Sequence, residues 1–211
     1  QSAGQAFCVV QRALPLVSKG QSIQDSECLL AGAVQTGQPL DGAVEAFTLL
    51  VQLHERGRRQ GIAGLVQWDG AQRALERTLM TEEVNAAARG AFAGGATVVW
   101  AGESHGNMRN LLPDLLDERV GLISGQPKPM NHMGGLDASF DLALFLGYHA
   151  RAGTLHGVMA HTFAGSIFGL SFNGTEVGEI GADAALCGGL GVPVGLVAGD
   201  RAACDEARAL L

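Results

Sequence analysis

The sequence predicts an α/β protein, a mainly parallel sheet flanked by helices, with a smaller second segment ahead of it. Three observations carry this expectation. Short apolar runs at Ala96–Trp100, Asp141–Leu146 and Val192–Ala198 alternate with longer stretches of helical periodicity. An Asn173-Gly174 pair stands between two strand-like runs, and both residues tolerate the positive φ of a tight hairpin turn. Glycine is also abundant, at 31 of 211 residues, against a usual share of about 7%. It shows no three-residue period, so it serves turns and close backbone approaches rather than a collagen-like helix.

Taken in order, residues 1–40 are rich in glutamine and serine and show no clean strand alternation. A helix is predicted from Asp41, its N-cap, to a stop at Gly57, with Val44, Phe47, Val51 and His54 on one face. Arg56, Arg58 and Arg59 then read as a solvated helix end rather than a binding patch. A second helix spans about Ala71 to Phe92, because Met80, Val84, Ala88 and Phe92 recur on one side, and Gly94-Gly95 ends it. The strand Ala96–Trp100 follows, then the strand Asp141–Leu146 and the hairpin of Ser166–Phe172 with Thr175–Ile180. A strand at Val192–Ala198 and a closing helix at Arg201–Leu211 complete the chain. In such a sheet, ligands gather at the carboxyl ends of the strands.

Composition excludes several functions. Lysine and arginine total 14 against 21 acidic residues, a net charge of −7, which argues against nucleic-acid and anionic-membrane partners. With 47% hydrophobic and 17% charged residues the chain is not disordered. No apolar run approaches the roughly 18 residues of a membrane span. No basic start followed by an apolar stretch marks a signal peptide. Cys8, Cys28, Cys187 and Cys204 are scattered without a C-x-x-C pair, so neither a disulfide framework nor a cysteine zinc cage is expected, and the expected setting is cytoplasmic. Gly189-Leu190-Gly191 with Gly195 has the wrong spacing for a dinucleotide loop and precedes a strand instead of following one. No serine lies in a G-x-S-x-G elbow, and no cysteine has a basic neighbour to activate it. The mean hydropathy of +0.18 leans towards self-association.

Two histidines sit where a parallel sheet places its site. His105 follows the strand that ends near Ala101, and His149 follows the strand that ends near Gly147. His161 closes Gly157-Val158-Met159-Ala160-His161, and Glu179 comes just after the hairpin. Imidazole and carboxylate are the usual ligands of catalytic zinc. One histidine after a strand is more often a hydrogen-bonded structural residue; two at strand ends make a metal site a candidate. His132 and His156 lie in glycine-rich loops and read as ordinary surface residues, and His54 reads as partly buried.

These residues belong to a collinear series: Gly61-Ile62-Ala63-Gly64, Met80-Thr81-Glu82-Glu83-Val84-Asn85, Ser104-His105, Leu122-Ile123-Ser124-Gly125, Leu146-Gly147-Tyr148-His149-Ala150-Arg151, Gly157-Val158-Met159-Ala160-His161, Asn173-Gly174, Val177-Gly178-Glu179 and Val197-Ala198-Gly199-Asp200. From about Gly61 to Ala207 the chain thereby resembles the bacterial zinc-dependent D-aminopeptidases associated with dipeptide transport. The resemblance implies a two-zinc aminopeptidase that releases N-terminal D-amino acids, typically D-alanine, from short peptides. It implies His105, His149 and Glu179 as metal ligands, His161 as the catalytic residue, and assembly into a ring-stacked homodecamer.

One departure bears on the metals. The family opens on a strand ending in Asp-x-Glu-Gly, whose carboxylates share the zinc pair, and the corresponding positions here hold Arg58 and Gln60. Glu45–Val51 resembles the family's C-terminal helix, so residues 1–60 resemble pieces of its C-terminal domain placed ahead of the metal-site domain at 61–211. The missing carboxylates favour the alternative of a non-catalytic peptide-binding or structural assembly subunit; the four retained histidine and glutamate positions favour the enzyme. A nucleotide-binding α/β protein is a third and weaker option.

Two dications with less negative charge between them repel more strongly, so the second should bind poorly. The expectation is at most one tightly held zinc per chain, with weak or no peptidase activity. Elemental analysis of the dialysed protein measures it; two zinc ions per chain would mean that other groups complete the site.

Overall fold

The computed structural model describes residues 6–12, 28–30 and 70–211. The predicted helix from Asp41 to Gly57, the arginines that follow it, and Gln60 to Gly64 lie outside the described residues. Eight strands and three helices are described: β1 (Ala6–Arg12), β2 (Cys28–Leu30), α1 (Gly70–Ala93), β3 (Ala96–Glu103), β4 (Val120–Ile123), β5 (Leu142–Tyr148), β6 (Ser171–Phe172), β7 (Thr175–Glu176), α2 (Glu179–Gly189), β8 (Val194–Gly199) and α3 (Arg201–Leu210).

Six strands form one sheet in the order β2-β8-β5-β1-β3-β4, and β6 and β7 make a separate two-residue ladder. β3 pairs parallel with β4 and β5 parallel with β8, whereas β1 runs antiparallel to both β3 and β5. The four strands from the second part of the chain therefore share one direction; the fold is α/β as the sequence predicts, but the sheet is mixed, three of its five pairings being antiparallel. β1 and β2 run against them within the same sheet.

β1, like β2, β4 and α2, is missed by sequence reading, and for β1 the reason is physical. Cys8 and Val9 point to opposite faces and are both fully buried. A strand covered on both faces is apolar throughout and shows no alternation to read. Alternate residues of each strand divide the core in two. Cys8, Val99, Ala101, Leu144 and Leu146 pack against Met80, Val84 and Ala88 of α1. Val9, Phe145, Tyr148 and Val197 pack against Ile180 of α2 and Ala203 of α3 on the other side. The result is a three-layer sandwich, and each large side chain so buried contributes about 1.5–3 kcal/mol.

The hairpin is shorter than predicted. Asn173 and Gly174 adopt φ of 51° and 84°, as a type I′ turn demands, but the second strand ends at Glu176 because α2 begins at Glu179. α3 starts under the Asp200 side chain, which accepts the Ala203 N–H at 2.8 Å; such a cap contributes about 1 kcal/mol. Among the described residues no helix is long and apolar enough to cross a membrane. The Cys8 and Cys187 thiols are pushed up to about 12, chiefly by burial, which removes both as nucleophiles.

α1 also turns Glu83 into the core, where it is 4% exposed and neither carboxylate oxygen has a hydrogen-bond partner among the described residues. Burial pushes its pKa from 4.5 up to about 7. The folded chain thus keeps this proton where the unfolded chain releases it, so the group favours folding below about pH 4.5 and progressively loses that contribution as pH rises to about 7. At about 1.4 kcal/mol per pKa unit the loss is roughly 3 kcal/mol. Glu83→Gln should therefore gain stability relative to the native chain by up to that amount between those pH values, measured by urea unfolding. A difference that does not change with pH would show that Glu83 does not carry the charge penalty.

Candidate metal centre

The site forms where the parallel strands end. His105 stands two residues beyond β3, and its carbonyl is gripped by the Asn110 side-chain amide at 2.7 Å and by the Met108 N–H at 2.9 Å. His149 follows β5 directly. Gly147, with φ of 68°, breaks the regular pairing of β5 with β8 at this point and sets the direction of Tyr148 and His149. His161 lies on the long segment between β5 and β6. Its N–H donates to the Ala150 carbonyl at 3.2 Å. That segment is tied down by side chains: Thr162 accepts the Ala152 N–H, Glu206 the Arg151 N–H, and Asp200 the Val158 N–H.

Glu179 is the first residue of α2, where the helix dipole favours negative charge. The residue before it, Gly178, permits the close approach: a Cβ there would lie 2.6 Å from the Arg151 Cβ and 2.8 Å from Glu206 Oε1. Glu179 is fully buried. Its Oε1 accepts the Phe163 N–H at 2.7 Å and lies 3.5 Å from His149 Nε2 and 3.6 Å from His161 Nε2. Its Oε2 lies 3.0 Å from His105 Nε2 and has no hydrogen-bond partner among the described residues.

The imidazoles are oriented for ligation. His149 Nδ1 is 3.0 Å from the Ala150 carbonyl and His161 Nδ1 is 2.6 Å from the Met159 carbonyl. A carbonyl only accepts, so each Nδ1 carries the proton and each Nε2 turns a bare lone pair inward. His149 Nε2 and His105 Nε2 face each other at 3.3 Å, and the His149 and His161 rings stack at 3.8 Å. Burial, working against the Ala150 carbonyl and Glu179, lowers the His149 pKa from 6.5 to about 4, so it is neutral and able to ligate across the physiological range. Burial also works to raise Glu179, but the His105 and His149 imidazoles and the Phe163 N–H outweigh it and hold that carboxyl at about 2.

One donor atom from each of His105, His149, His161 and Glu179 lies within 4.8 Å of all the others. A buried carboxylate with one oxygen that has no hydrogen-bond partner among the described residues, together with the inward-turned Nε2 atoms of His149 and His161, suits a divalent cation, and the N and O donor set suits zinc. The structure thus brings together all four residues that the sequence singled out.

It corrects one reading. His132 is not an ordinary surface residue: it is 6% exposed, with Nδ1 3.3 Å from Asp183 Oδ2 and 3.6 Å from Glu179 Oε2. A 3-10 turn at Asn131–Met133 packs its ring between His105 and Phe163, each centroid 5.1 Å away. Asp183, buried one turn along α2 from Glu179, also accepts the Tyr148 hydroxyl at 3.0 Å. The four-residue spacing of Glu179 and Asp183 was visible in the sequence; nothing local marked His132. His156, by contrast, is exposed as expected.

Comparison with known proteins places this geometry. A family model described as D-aminopeptidase matches residues 60–211. A D-aminopeptidase of Bacillus subtilis (strain 168) is 43% identical over 157 residues, covering 72% of this chain and 57% of the relative. A solved structure, the Zn-dependent D-aminopeptidase DppA from Bacillus subtilis, described as a self-compartmentalizing protease, matches with a TM-score of 0.64 at 43% identity. That match covers 66% of this chain and 50% of the other. The chain thus spans little more than half the length of these relatives.

Proposed function

Since the chain belongs to the D-aminopeptidase family, we propose that it is a metal-dependent aminopeptidase releasing N-terminal D-amino acids, D-alanine above all, from short peptides. In this reading zinc is held by His105, His149 and Glu179, and His161 is the catalytic residue. The observation that supports it best is Glu179 Oε2, a buried carboxylate oxygen with no hydrogen-bond partner among the described residues, in a group where three imidazoles converge. Zinc, when bound, makes water nucleophilic near neutral pH and polarises the scissile carbonyl.

The chain's own residues supply the rest. Glu179, anchored through Oε1 to the Phe163 N–H, keeps its other oxygen directed at the ion. His149, with its Nδ1 proton on the Ala150 carbonyl, keeps Nε2 available for ligation. His161 is the most open of the four, its side chain 25% exposed, so it can meet a substrate. Its Nδ1 proton is held by Met159, so Nε2 takes up the proton released by the attacking water and returns it to the departing amine.

Self-association belongs to the same reading. The segment that carries His161 leaves large apolar side chains in solvent, above all Leu155 at 83% and Phe168 at 86% exposure, with Met159 and Phe172 partly exposed. We read this surface as a contact between copies in a homo-oligomer, a decamer by family resemblance, in line with the self-compartmentalizing solved relative.

A second reading, a non-catalytic peptide-binding or assembly subunit, is favoured by Arg58 and Gln60 at the positions of the family's Asp-x-Glu. Turnover separates the two. With zinc added, the protein is expected to hydrolyse D-alanyl amides in preference to L-alanyl amides, however slowly. His161→Ala should lower kcat by about 100- to 10,000-fold with zinc content unchanged. No turnover of any peptide would leave the subunit reading. Light scattering at micromolar concentration should find an assembly of many copies, and a monomer would defeat the oligomer.

A further inference from the structure

We propose that His132 and Asp183 are positioning residues of the metal centre, which hold Glu179 Oε2 in the direction of the ion without themselves binding it. The proposal rests on the zinc reading above and adds to it a pair of residues that neither the sequence motifs nor the family match singles out.

Glu179 and Asp183 are one turn apart on α2, so their carboxylates project from the same face, and both are at most 1% exposed. Two buried carboxylates side by side repel and each needs a partner. His132 lies between them, its Nδ1 3.3 Å from Asp183 Oδ2 and 3.6 Å from Glu179 Oε2. One N–H donates well to one oxygen. Asp183 is the nearer, and its Oδ2 is fixed further by the Tyr148 hydroxyl at 3.0 Å. Glu179 Oε2 therefore feels the positive end of the His132 N–H without giving up its lone pairs to it.

The two oxygens of Glu179 consequently differ in role. Oε1 is committed to the Phe163 N–H, and Oε2 is steered but left available. The His132 ring has little room to turn, because it stands between the rings of His105 and Phe163. A carboxylate behind an imidazole behind a ligand is the outer-layer arrangement that orients metal ligands, and Asp183 adds a second buried negative charge that a dication offsets. Neither residue belongs to the group of four whose donor atoms converge. Both therefore act through Glu179.

The test measures metal affinity, not turnover. Zinc dissociation constants from competition with a chelating indicator should weaken about 10- to 100-fold in His132→Met and in Asp183→Asn. His132→Asn, whose amide nitrogen falls near the position of Nδ1, should recover part of the loss. At saturating cobalt the visible spectrum of each variant should keep the native band positions, because the ligands are unchanged. Asp183→Asn preserves shape and keeps the test valid should His132→Met fail to fold. Native affinity in both variants would overturn the proposal, and so would shifted cobalt bands in His132→Met, which would make His132 a ligand. A native protein that bound neither zinc nor cobalt would instead overturn the zinc reading on which this one stands.

Discussion

An ionised carboxylate in a dry interior must be surrounded by donors, and Glu179 shows how much of a fold that requirement can organise. Its position at the start of α2 places it in the favourable field of the helix dipole. One oxygen takes a backbone N–H from the loop after β5, and imidazoles from three separate segments close around both. Each of these partners is held in turn by its own backbone or side-chain contacts. The Asn110 grip on the His105 carbonyl and the Ala150 and Met159 carbonyls behind His149 and His161 leave the imidazoles little freedom. Site rigidity here follows from the cost of leaving that charge unpartnered.

The comparison with Glu83 shows that burial alone does not set the behaviour of a glutamate. Both side chains lie inside the protein, yet Glu83 is pushed up to about 7 and Glu179 is held at about 2. Glu83 lies near the buried Cys8 of β1 and has no hydrogen-bond partner among the described residues. Glu179 faces nitrogen atoms. The first is a neutral acid over much of the pH range and the second is an anion throughout it, so only the second is suited to hold a cation.

The sheet explains why these groups meet. Four strands pointing the same way bring the residues after β3, β5 and β8 to one edge, and Asp200 and Glu206 from the β8–α3 region bind the backbone of the segment that carries His161. The same segment exposes Leu155 and Phe168. One stretch of chain thus carries both His161 and an exposed apolar surface.

Local pattern was enough to place α1, β3, β5, β8 and α3, since each has a periodicity or an apolar run that its own residues express. It also placed His105 and His149 at strand ends, and the motif series added His161 and Glu179. The sequence alone did not reveal β1, whose burial on both faces removes the alternation that would mark a strand, nor the four-residue β4, too short to show a period. Nor did it reveal His132, which meets Asp183 across 51 residues of chain. Its glycine- and proline-rich neighbourhood looks like any exposed loop, and only the packing of that turn against α2 and Phe163 buries the ring beside two carboxylates. Residue type and spacing determined which groups were available for metal chemistry; the tertiary structure decided which of them stand within reach of one another, because that depends on contacts between segments far apart in the chain.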